Sequence, residues 1–106
     1  MSDSTVTIAV KVALAVSREL ADDYVEMWEL PVHIRHAWPR ATNEEVCDLA
    51  LSILSGLIAS GVVLGDLDGD SGKFLPWSEE DPVGRAGSEW RRLGRDPNIG
   101  EIGWLA

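Results

Sequence analysis

Residues 41–77 read ATNEEVCDLALSILSGLIASGVVLGDLDGDSGKFLPW, and they hold the two clearest local signals in the chain. The first half is a helix. Thr42 followed by Glu45 is a capping box, in which each side chain accepts from the other's backbone N–H. Glu44, Glu45 and Asp48 place negative charge near the positive end of the helix dipole. Val46, Leu49, Ala50, Ile53, Leu54, Leu57 and Ile58 recur at the spacing of a core-facing stripe. Gly61 suits the position just past the end, so a helix is expected over 43–60. The second half is a hairpin over 61–77. Two apolar, partly β-branched arms, VVLGDL and KFLPW, flank the turn residues DGDSG, and Pro76 closes the second arm or marks it as an edge strand.

Working outward, residues 5–25 carry good helix formers after position 12, with Leu14, Leu20 and Tyr24 able to share a face, and a helix is expected. The alternation of Val6, Ile8, Val10 and Val12 leaves a strand over 5–12 as the second reading. Residues 31–38 form a short helix, opened by Pro31 and closed ahead of Pro39. Beyond the hairpin, Ser78 or Asp81 caps a helix that starts at Pro82, turns Trp90 and Leu93 inward and leaves at Gly94; Gly84 and Gly87 weaken it. The tail around Ile99, Ile102 and Trp104 docks as an extended segment. The expected fold class is therefore α+β and mostly helical, in one domain spanning 1–106 with residues 1–4 as a loose end. Three helices, a two-stranded wing and a further helix follow the order of winged-helix domains, a likeness of architecture that does not carry function with it.

The three aspartates at 66, 68 and 70 raise the question of a calcium loop. An EF-hand loop begun at Asp66 requires glycine at its sixth position and a bidentate glutamate at its twelfth. Those positions hold Ser71 and Trp77, so the stretch reads as a hairpin tip with a solvated acidic surface. His33 and His36, three apart, invite a metal, but no cysteine or acidic residue completes a set at motif spacing. Cys47 lies between core positions and reads as a buried, inert thiol. No nucleophile elbow, phosphate loop, zinc-protease or dinucleotide motif is present. The expectation is no enzyme, no catalytic residue, no metal and no cofactor.

Charge is the strongest functional signal. The net charge is −9, and residues 41–80 hold eight acidic side chains against Lys73 alone, net −7. Such a charge disfavours nucleic acid and anionic membranes and favours a basic protein partner. The single cysteine, the absence of a basic leader and the lack of an 18-residue apolar run lead to the expectation of a bacterial cytoplasmic protein.

The segments LSGLIASGVVLGDLDGDSGKFLPW and SEWRRLGRDPNIGEIGWL carry a leucine-rich helix, a GDL turn, an aromatic end, a tryptophan helix and a PN.G.I.W tail. Together they resemble small uncharacterised actinobacterial proteins, over about half the chain from Ser52 onward. Small acidic proteins of that kind look like the immunity or antitoxin partners of secreted bacterial toxins. The resemblance assigns no functional residue. The leading expectation is a non-enzymatic binding module that docks on a basic partner, such as a toxin, through Glu44, Glu45, Asp48, Asp66, Asp68 and Asp70. The bland reading of the same residues is a solvated face. The first alternative is a winged-helix transcriptional regulator that binds DNA as a dimer through the cluster Arg85, Arg91, Arg92 and Arg95. Against it, the 43–60 helix has no Lys or Arg and would be repelled by phosphates. The second alternative is a structural subunit that forms a homodimer.

Overall fold

A computed structural model describes residues 3–106. The elements run α1 (Asp3–Leu20), β1 (Val25–Glu26), α2 (Glu29–Ala37), α3 (Asn43–Ala59), β2 (Leu64–Leu67), β3 (Phe74–Pro76), α4 (Pro82–Leu93) and β4 (Trp104–Leu105). The fold is α+β and mostly helical, with one small antiparallel sheet of order β1-β4-β2-β3.

The central helix α3 forms where its caps dictate. Thr42 is extended, its hydroxyl accepts the Glu45 N–H at 3.1 Å, and the Glu45 carboxylate accepts the Thr42 N–H at 2.9 Å. At the other end the Val62 N–H reaches back to the Leu57 carbonyl and the Gly61 N–H to that of Ile58. That is a Schellman closure, and Gly61 takes the positive φ of 108° it requires. Val46, Leu49, Ala50, Ile53, Leu54 and Leu57 are all buried along one stripe.

Helix α1 settles the ambiguity of residues 5–12. Read as a helix, Ile8, Val12 and Val16 fall on one face, and Val12 and Val16 are buried while Ile8 is packed against the core. The other half of the alternation, Val6 and Val10, is left 48% and 53% exposed together with Leu14 at 51%. Leu14 is left to solvent, Leu20 is half-buried against the core, and Tyr24 lies beyond the end of the helix. The helix also stops at Leu20, because Val25 and Glu26 are drawn into the sheet opposite Leu105 and Trp104. Tyr24 stacks on Phe74 of the hairpin with ring centroids 5.5 Å apart. Asp3 and Ser4 are the first residues of α1; residues 1–2 lie outside the described residues. Helix α2 begins two residues ahead of the expected Pro31, at Glu29, and buries Leu30, Pro31 and Ile34.

The hairpin pairs Gly65 with Pro76, Asp66 with Leu75 and Leu67 with Phe74. What the linear order did not suggest is that β4 inserts between β1 and β2, pairing Leu105 with both Val25 and Leu64. The C-terminal tail is thus a central strand, and β3, with its proline, is left on the edge where a missing N–H costs nothing. Gly65 is needed here, since a Cβ would run into the Leu75 carbonyl and the Phe74 ring.

Helix α4 lies antiparallel to α3. Asp81 caps it by accepting the Gly84 N–H at 2.9 Å, and Gly94 closes it at φ 69°. Trp90 and Ala86 are buried. Gly87, a weak helix former in isolation, lets the backbone approach Leu51 of α3, because a Cβ there would sit 3.1 Å from Leu51 Cδ1. Pro82 lies near Ile58 and Val62 at the end of α3, and Arg91 lies near Asp48 at its start.

Candidate functional site

The six carboxylates expected to bind a partner fall at two ends of the α3–α4 pair and do not form one surface. Helix α3 alone, 17 residues long, puts about 25 Å between its first turn and its exit toward the hairpin.

At the first end, the start of α3 is largely spent on structure. Glu45 is one half of the capping box. Asp48 lies 3.8 Å from Arg91. Glu44 and Asp48 share an open cavity of about 300 Å³ with Asn43, Cys47, Trp90, Arg91 and Arg95. Around it, Arg35 grips Asp96 through Nε and a terminal nitrogen (2.7 and 3.1 Å) and also donates to Asn43. Arg95 forks onto Glu101 at 2.6 and 2.7 Å, which holds the Glu101 carboxyl down to about 2. Cys47 is buried, and that burial pushes its thiol up, away from the thiolate a nucleophile needs. Two of the arginines that would have to meet DNA, Arg91 and Arg95, are thus turned to Asp48 and Glu101, and a third, Arg85, lies at the far end of α4.

The second end is the hairpin and the entry to α4. Asp66 accepts the Trp77 indole N–H at 3.1 Å, and the Arg85 guanidinium sits 3.8 Å above the Trp77 ring. Arg85 also donates to Glu79 and Glu89. Asp68 is turned inward to its own loop, where it accepts from the Asp70 N–H and the Ser71 hydroxyl, so its carboxyl lies below the usual range. Those bonds make the tip a turn in the geometry expected of Asp and Ser there. Sequence reasoning missed that Glu79, Glu80 and Asp81 belong to this same end. The signal was available, because a hairpin that closes at Trp77 must deliver the next residues to its base. Over residues 66–85 there are six acidic side chains against Lys73 and Arg85, net −4. Leu75, 49% exposed on the edge strand, sits opposite Asp66.

A third group joins residues that the sequence kept apart. His33 Nε2 lies 3.1 Å from Glu19 Oε1, at the last turn of α1, and Glu29 of α2 completes the set. One donor atom from each residue lies within 4.8 Å of the others. The sequence reading paired His33 with His36 and found no acidic residue to complete a set. Two complete it in the fold, one of them at a spacing (i, i+4) that was legible on α2. Glu29 Oε2 accepts the Glu26 N–H at 2.9 Å. Burial, and the hydrogen bond shared with Glu19, push the Glu29 carboxyl up to about 7, while that bond and His33 hold the more exposed Glu19 low.

No family model matches the chain, and no curated protein or solved structure is similar to it. Among the described residues, no helix is long and apolar enough to cross a membrane.

Proposed function

We propose that the chain is a non-enzymatic protein-binding module, of the immunity or antitoxin kind, that docks on a basic partner through its hairpin end. The observation that supports this reading most is the net charge there: Asp66, Asp68, Asp70, Glu79, Glu80 and Asp81 have only Lys73 and Arg85 to offset them over residues 66–85, and Asp66 stands beside the exposed Leu75 and holds Trp77. An aromatic and aliphatic centre with a charged rim is the usual anatomy of a protein interface. Acidic side chains at such a rim act on the rate of encounter with a basic surface and on its salt dependence. The start of α3 enters the reading in a lesser role, since Glu45 and Asp48 already serve the cap and Arg91.

The test is to capture partners from the native cytosol with wild-type protein and with a variant carrying Asp68→Lys, Asp70→Lys and Glu80→Lys. The reading expects a basic protein that the wild type retains, that elutes as salt rises toward 0.5 M, where screening shrinks to a few ångströms, and that the variant loses. Retention that ignores both salt and the charge reversals would refute it.

A further inference from the structure

We propose that Glu19, Glu29 and His33 form a binding site for one divalent transition-metal ion of the zinc class, joining the last turn of α1 to α2. This site lies apart from the hairpin end and does not depend on the docking reading.

The donor chemistry comes first. One imidazole nitrogen and two carboxylate oxygens are ligands that zinc accepts, and three protein ligands leave a position for water. A set with a nitrogen donor favours zinc over calcium or magnesium, which take oxygen alone. The spacing follows. Ligands of one tetrahedral zinc ion stand about 2.0–2.2 Å from it, so two of them are about 3.3–3.6 Å apart. The three donor atoms here already lie within 4.8 Å of one another, and small side-chain rotations close the difference. All three residues are partly buried: the His33 side chain is 32% exposed and that of Glu19 is 41% exposed. The backbone also prepares the site. The Glu26 N–H fixes Glu29 Oε2, which orients that carboxylate from outside the cluster as supporting hydrogen bonds do around metal ligands.

Electrostatics supplies the driving force. Two carboxylates converge on one imidazole, and among the described residues no lysine or arginine is paired with either of them. A cation must offset that repulsion. A zinc ion brings two positive charges to that pair. Its ligands bind deprotonated, so affinity falls as pH falls.

The experiment is calorimetric titration of tag-free, chelator-treated protein with ZnCl₂ at pH 7.5, with thermal unfolding in parallel. The proposal expects one ion per chain, a dissociation constant in the micromolar range, and a melting temperature that rises by several degrees at saturating zinc. It expects at least tenfold weaker binding in Glu29→Gln and in His33→Gln, unchanged binding in His36→Gln, and at least tenfold weaker binding of the wild type at pH 5.5. Glu29→Gln retains an oxygen to accept the Glu26 N–H, and circular dichroism checks that each variant is folded. MgCl₂ at the same concentration should leave the melting temperature unchanged. Binding weaker than about 1 mM, or zinc uptake that survives both Glu29→Gln and His33→Gln, overturns the proposal; so does a site that takes up protons with pH but no zinc.

Discussion

The two ends of the α3–α4 pair carry similar numbers of carboxylates and balance them with different numbers of bases. Around the start of α3, Asp48, Asp96 and Glu101 pair with Arg91, Arg35 and Arg95, and Glu45 closes the capping box. At the hairpin end six carboxylates face two bases, and Arg85 is shared among Trp77, Glu79 and Glu89. Counting acids along the sequence ranks the two regions as equals. What separates them is where α4 lays its arginines. Because α4 runs antiparallel to α3, its C-terminal Arg91 falls on the acidic start of α3, Arg95 follows just past the helix end beside it, and the hairpin end is left uncovered. A negative region becomes a candidate interface through lack of compensation, since compensated charges already have partners.

The largest effect should come from the seam that produces this difference. Trp90 is buried between α4 and α3, and Trp90→Ala should cost about 3–5 kcal/mol in urea unfolding. It should loosen both ends together; a loss under about 1 kcal/mol would break the claim that α4 sets the charge pattern.

The Glu19–Glu29–His33 group sharpens the comparison, because it is a third set of carboxylates and is also used internally. With the Glu29 carboxyl raised from 4.5 to about 7, the folded state holds a proton that the unfolded chain has released between those values. The stability this carries is fully present below pH 4.5 and is lost as pH rises through 7. Compared with wild type, Glu29→Gln should be relatively more stable above pH 7 than below pH 5, by on the order of 1–2 kcal/mol after allowing for its partial exposure. Unfolding curves at pH 5 and pH 8 in the absence of metal measure this difference.

Charge reversal at the two ends should then differ. Glu45→Lys removes half of the capping box and puts a cation at the positive end of α3, and should cost about 1 kcal/mol or more. Asp70→Lys, at the exposed tip, should stay within about 0.5 kcal/mol. Equal costs in thermal unfolding would erase the distinction between structural and free carboxylates. Arg85→Gln should act on association more than on stability. It removes two half-exposed ion pairs and the contact with Trp77, and it makes the hairpin end more negative. It should speed association with a basic partner in stopped-flow mixing at low salt and leave the rate unchanged at high salt.

Much of this architecture is legible in the residues themselves. Thr42 and Glu45, the stripe from Val46 to Leu57, and Gly61 specify α3 with both of its ends, since capping and a Schellman closure are bonds within a few residues. The same holds for the hairpin, whose turn is closed by Asp68 with Asp70 and Ser71, and for α4, opened by Asp81 and Pro82 and closed by Gly94. The face of α1 was less legible. Val6, Ile8, Val10 and Val12 suit either period, and only the packing of Val12 and Val16 against the other helices decides which half is buried.

The sequence by itself determined the elements that close on local bonds, the net charge and its concentration between residues 41 and 80. Tertiary structure alone decided three other things. It placed β4 at the centre of the sheet, because Leu105 is buried only between Val25 and Leu64. It brought Glu19 to His33 across 14 residues of chain. And it chose which acidic end is covered, because the direction in which α4 crosses α3 is set by burying Trp90 and Ala86 and by the close approach at Gly87. These three depend on contacts between distant segments, and their energies come from apolar area removed from water, which no short window of sequence contains.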